Sequence, residues 1–225
     1  MATYKELVQL TRLLSGMQGT GPSTVVAQQG IEEVLTRMVR DAYVDIQNRR
    51  EEWNFLIRDK SITLQSGQDT YTLLQVFSTT APLFKKYKKD SFIITNSDGQ
   101  KNYLRYTERD VLEAQYLNDT VQKLPTQYAI NPENNALIFK PIPDGVYTVT
   151  CRYYASPEIL SVDAQVPILP ASYHNAIAYL ATAKMSIYLS SPENYHEYTR
   201  KAEGMIGELM RLEIPKKRMQ QRPMV

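Results

Sequence analysis

A single cysteine, Cys151, in 225 residues leaves no internal disulfide to staple this chain. It also has one tryptophan, two histidines and no excess of either charge: 26 Lys and Arg stand against 24 Asp and Glu, a formal +2. A balance so near neutrality does not imply wholesale nucleic-acid binding and leaves basic character as a local matter. No run approaches the roughly 18 apolar residues of a membrane span. The opening residues, Met1-Ala2-Thr3-Tyr4-Lys5-Glu6, do not read as a signal peptide. A soluble chain that stays where it is made, with no membrane partner, is therefore expected. Nothing repeats internally, and the length suffices for one generous domain or two small ones, either able to bury a core.

Catalytic chemistry is also missing. His174 and His196 each stand near the start of a predicted helix, outside any metal-ligand spacing, and read as structural or solvent-facing. Gly16-Met17-Gln18-Gly19-Thr20-Gly21 follows no strand and lacks the Lys-Ser/Thr of a nucleotide cradle. Asp41 and Asp45 share a predicted helix face with Arg37 and Arg49 in reach, and Glu51-Glu52 beside Arg49-Arg50 reads the same way, as a wet surface. Cys151 sits in an alternating strand pattern, as a small core residue would. No catalytic residue, metal or cofactor is assigned, and no enzyme is expected.

What is present is a helical sequence interrupted by a β-patterned one. Leu7, Leu10, Leu14 and Met17 recur at helical spacing before a Gly-rich break at 16–24. Ile31, Val34, Leu35, Met38, Val39, Ala42 and Ile46 carry a longer stripe, predicted as one helix of 28–53, roughly 35–40 Å long. From Ser61 the period becomes two. Ile62/Leu64 and Tyr71/Leu73 across Ser66-Gly67-Gln68-Asp69 predict a hairpin, and 92–95 with 103–106 across Asn96-Ser97-Asp98-Gly99 predict another. A short helix at 108–117 and strands at 136–140 and 146–154 follow, with Tyr147, Val149, Cys151 and Tyr153 on one face. Five to seven short antiparallel strands are implied. Pro170 then opens an Ala-rich helix to Leu189, apolar on most sides and so needing cover on most sides. Ser191-Pro192 caps a last helix on which Tyr195, Tyr198, Ala202, Met205, Leu209 and Leu212 keep helical rhythm.

The expected fold is α+β: a discontinuous helical bundle (1–57 and 164–213), an inserted antiparallel β-sandwich or barrel-like domain (58–163), and a basic tail (214–225). Tyrosine, at 16 residues, suits half-packed, half-wet interfaces as well as sheet cores. Lys85-Lys86-Tyr87-Lys88-Lys89 reads as a loop able to grip phosphate or an acidic neighbour, or as a solvated segment that discourages edge pairing. The tail's Lys216, Lys217, Arg218 and Arg222 read as a segment that docks on a partner or remains frayed.

The order of Trp53-Asn54-Phe55-Leu56, the Gly67-containing segment 62–73, Pro141-Ile142-Pro143-Asp144-Gly145 with its long following strand, and Leu169-Pro170-Ala171-Ser172-Tyr173-His174 before an Ala-rich helix resembles the head-to-tail adaptor proteins of tailed bacteriophages. The likeness covers roughly residues 28–213. It implies a virion protein of the neck, made in the host cytoplasm. Such proteins form a homo-oligomeric ring, usually a dodecamer, that joins the portal protein to tail or nozzle proteins and lets DNA pass without sequence-specific binding. On that basis Lys216, Lys217, Arg218 and Arg222 are expected to bind the portal. Tyr173, Ala176, Tyr195 and Tyr198 are expected in subunit or bundle packing, and the Ala-rich helix is expected to need cover from a neighbouring copy. Lys85, Lys86, Lys88 and Lys89 are expected to touch a neighbour or tail component. The competing reading is a nucleic-acid-binding module acting through those lysines.

Overall fold

The structure is a computed structural model and describes residues 1–77, 84–96, 98–117 and 120–213. The chain divides into two compact units, Met1–Leu56 joined by the segment that begins at Pro157, and Ile57–Ser156.

The helical unit opens with α1 (Tyr4–Leu14), started by a capping box: Glu6 N–H donates to Thr3 Oγ1 (3.3 Å), and Thr3 N–H to Glu6 Oε2 (2.8 Å). Leu7, Val8 and Thr11 face the core. The Gly-rich break then folds back on α1: the Arg12 side chain donates to the carbonyl of Gln18, and Gly21, at φ +85°, lies where an added Cβ would meet Gln9 and Arg12. The second helix, α2 (Ile31–Asn48), buries Leu35, Val39, Ala42, Tyr43 and Ile46.

The expected run to Trp53 does not occur; α2 has 18 residues, about 27 Å. A helix end leaves carbonyls without partners, and here Trp53 turns back so that its indole N–H donates to Gln47 O (2.9 Å). The Gln47 side chain is also engaged, accepting from Glu158 N–H (2.9 Å) and donating to Glu158 O (3.0 Å). Fully buried and stacked on Phe55 (5.1 Å between centroids), the tryptophan acts as a stopper, outside the helix it ends.

α5 (His174–Tyr188) and α6 (Pro192–Glu213) complete this unit. Ala176, Ile177, Ala178, Leu180, Ala181, Ala183 and Met185 are buried around the circumference of α5, because α1, α2 and α6 all pack on it. The chain itself covers these residues, while Ile187 and Tyr188 at the end of α5 stay exposed. Alanines let the other helices approach closely. Thr182 and Ser186 satisfy their buried hydroxyls by donating to the carbonyls four residues back, each at 2.8 Å.

The β unit contains β1 (Ile57–Leu64), β2 (Thr70–Tyr71), β3 (Phe84–Tyr87), β4 (Ile93–Thr95), β5 (Lys101–Tyr103), β6 (Arg105–Tyr106), β7 (Gln127–Ile130), β8 (Leu137–Lys140) and β9 (Tyr147–Ala155). Two short helices, α3 (Leu73–Phe77) and α4 (Arg109–Gln115), lie between strands, α4 within the predicted 108–117. One sheet runs β1-β9-β4-β5, with β3 also on β9; the other runs β2-β8-β7-β6. Neither closes into a barrel, and the second is mixed, since β6 and β7 are parallel.

The first predicted hairpin is absent. All eight residues of β1 pair with β9, placing Ile62 opposite Val149 and Leu64 opposite Tyr147, while Tyr71 pairs with Leu137 in the other sheet. Gly67, at φ +79°, is the crossing point, held by its N–H to Pro143 O (2.8 Å) and by Ser66 Oγ to Asp144 O (3.1 Å). The second predicted hairpin forms only in part: Ile93–Thr95 pair with Lys101–Tyr103, while Arg105 and Tyr106, predicted on that same strand, pair with β7 in the other sheet. Both sheets feed one aromatic core, in which Phe92 stacks on Tyr128 at 4.0 Å and Phe77 meets Tyr153 edge-on at 4.8 Å.

Candidate docking surfaces

Of the predicted loop Lys85–Lys89, the first half is strand and only Lys88 and Lys89 lie in a turn. Phe84 and Tyr87 pack into the β core, and this pulls the chain into β3 against β9, with Tyr87 opposite Tyr153 and a bulge between Phe84 and Lys86. A lysine-bearing, bulged edge strand is a form that resists pairing with stray strands. Two of the cations, Lys86 and Lys89, already have local company. Lys86 Nζ stands 5.7 Å from the Tyr154 ring centroid, and Lys89 Nζ stands 3.9 Å from that of Tyr106 and 3.8 Å from Glu108. Tyr106 and then Glu108 hold the Lys89 ammonium protonated beyond its ordinary range, against a smaller effect of burial. A cleft of about 360 Å³ lies beside it, lined by Lys86, Lys89 and Arg109 but also by Glu108 and Asp110. This is a surface of mixed sign. Behind it the Tyr87 hydroxyl is buried without a partner, and burial pushes its pKa up.

On the helical unit, Tyr173 and Ala176 lie inside the chain's own core and pack within the bundle. Tyr195 and Tyr198 are half-buried on α6. Tyr198 stacks with Tyr179 at 6.0 Å, and Lys201 sits 5.0 Å from the Tyr198 centroid while pairing with Glu197. Tyr195 borders an apolar hollow of about 350 Å³ with Ile187, Ser190 and Pro192. Beside the hollow, Ile187 and Tyr188 are 66% and 56% exposed. Sequence reading missed this patch. Its signal was the run Ile187-Tyr188-Leu189 directly before Ser190-Ser191-Pro192, because three consecutive large apolar residues at a helix end cannot all face one core.

The charged pairs also differ from expectation. Asp45 pairs with Lys184, and Arg49 grips Glu203 through two bonds of 2.5 and 2.6 Å, which lowers the Glu203 pKa. The N-terminal backbone is fastened by buried His174, whose Nδ1 accepts from Ala2 N–H (3.1 Å) while Nε2 lies 3.0 Å from Leu169 O. His196 is exposed. Burial raises the Cys151 thiol to about 12, far from nucleophilic range. Among the described residues, no group of three or more His, Cys, Asp or Glu could hold a metal ion, and no helix is long and apolar enough to cross a membrane. The expected portal contacts, Lys216, Lys217, Arg218 and Arg222, lie outside the described residues.

Accessible features of the two units thus include half-buried tyrosines on α6, a short apolar patch at the end of α5 and a cleft of mixed charge beside β3. No curated protein matches the chain. The family model of the SU10 adaptor proteins matches residues 2–224, running through α1, both sheets and α6. The chain therefore belongs to the SU10 adaptor protein family, and the phage head-to-tail adaptor anticipated from the order of its motifs is the kind of protein it is.

Proposed function

We propose that this phage adaptor, a structural protein of the virion neck or tail, works as a ring of identical subunits that joins the portal to tail or nozzle proteins and continues the DNA channel. The observation that carries this reading is the family match over residues 2–224, which takes in both units. Several features support it. The half-exposed Tyr195 and Tyr198 on α6, with Ile187 and Tyr188 beside Tyr195, offer one side of a heterologous subunit contact, the type from which rings close. A near-neutral body would let DNA pass without the salt-sensitive grip that many unpaired cations exert. The lysines of β3 and the turn after it are partly engaged by Tyr154, Tyr106 and Glu108, which favours a neighbour or tail contact over a nucleic-acid interface.

In this reading the subunits are made in the host cytoplasm and stay apart until the portal presents a complementary surface. The basic residues Lys216, Lys217, Arg218 and Arg222 then bind it. The test is imaging of the purified protein alone and mixed with its portal. Rings seated on the portal are expected, with attachment lost on truncation after Glu213. A chain that stays solitary beside its portal overturns the ring, and undiminished attachment of the truncated chain overturns the role of the tail.

A further inference from the structure

A second cleft, on the helical unit, has a different chemistry from the surfaces above. It measures about 320 Å³ and lies between α2 and the segments around Val25 and Leu160. Its apolar side is presented mainly by Val26, 52% exposed, with Val25 and Leu160 buried behind it. Its other side carries Arg37 and Arg40, three residues apart on α2 and so on one helix face.

Neither guanidinium makes an ion pair or hydrogen bond among the described residues. Glu33, the lone acid in the lining, is within ion-pair distance of neither. Two like charges one turn apart repel unless an anion lies between them. The wall opposite is built with some strain: Ala27 holds φ +54°, while Asp163 fixes the preceding residues by accepting from Thr24 Oγ1 (3.1 Å) and Val25 N–H (2.5 Å).

We infer that this cleft binds an acidic–apolar segment of a partner protein, seating a Leu-, Ile- or Met-sized side chain against the exposed Val26 and an adjacent Asp or Glu carboxylate between Arg37 and Arg40. Guanidinium matches carboxylate in a fork that one carboxylate can fill. The apolar wall has nothing to offer a phosphodiester backbone, and two arginines offset by one glutamate fall short of the many phosphate contacts on which nucleic-acid affinity rests. The chain's own C-terminal residues are excluded by sign, since they bring Lys216, Lys217, Arg218 and Arg222. The site stands on the cleft alone and does not depend on ring formation.

The test is selection of a random dodecapeptide library on the immobilised full-length protein, followed by titration of the best binder. Enriched peptides should carry Asp or Glu next to Leu, Ile or Met. Their affinity should fall roughly tenfold or more in Arg37→Ala/Arg40→Ala, the effect of losing a charge-assisted contact. Val26→Asp reads the same cleft with the arginines intact and should fall likewise, so the outcome does not hang on one variant folding. The inference is overturned by an absence of enrichment, by a motif without an acid, by binding indifferent to these substitutions, or by duplex DNA displacing the peptide through the same two arginines.

Discussion

At the scale of single residues, the helical unit depends on Trp53, which ends α2 through Gln47 O and fills the core beside Phe55. Trp53→Ala should destabilise the protein by about 3–5 kcal/mol, the range for emptying a large aromatic site. Trp53→Phe should cost less, keeping much of the packing while leaving the Gln47 carbonyl without its donor. Urea unfolding of both variants measures the difference. Asp163 gives a pH dependence of known sign. Its carboxyl is held below the ordinary aspartate range by Val25 N–H first and Thr24 second. A depressed acid stabilises above its unfolded pKa of about 3.9, and that contribution fades as pH falls through the lower folded value. The protection factor of the Val25 amide should therefore fall below about pH 4, and Asp163→Asn should show the lower protection already at neutral pH.

At the scale of elements, legibility in the sequence followed the physics of periodicity. The stripe Leu35, Val39, Ala42, Ile46 and the alternation Val149, Cys151, Tyr153 each announced a buried face, and those residues are buried. Side-chain period says which face is inside but not which strand is next door. For that reason Ile62/Leu64 and Tyr71 resembled a hairpin although β1 and β2 enter different sheets. The lysines at 85–89 hid a strand because charge dominated the composition, whereas Phe84 and Tyr87 decided the conformation. Among the docking residues, sequence alone could not separate the buried Tyr173 and Ala176 from the accessible Tyr195 and Tyr198, since all four lie in aromatic or small-residue helical rhythm. The central position of α5 yields a prediction: Ala181→Leu would force α1, α2 or α6 outward and destabilise the protein by about 1–3 kcal/mol. Thermal melting followed by circular dichroism checks it.

At the scale of the whole molecule, stability and assembly should respond to different substitutions. Tyr195→Glu alters a half-exposed position and should change the stability of the isolated chain by less than about 1 kcal/mol, yet abolish ring formation on the portal. Light scattering and imaging separate the two effects. The pairing of Ile57 with Tyr154 has a wider consequence. Polypeptide enters the β unit and leaves it through the end rungs of one ladder, where Ile57 and Tyr154 face each other about 5 Å apart. Cutting at those rungs and bridging the gap with a short Gly-Ser link should yield a cooperatively melting helical protein. By the same geometry, a lineage could exchange this whole cassette for another whose ends meet while the helical body stays as it is.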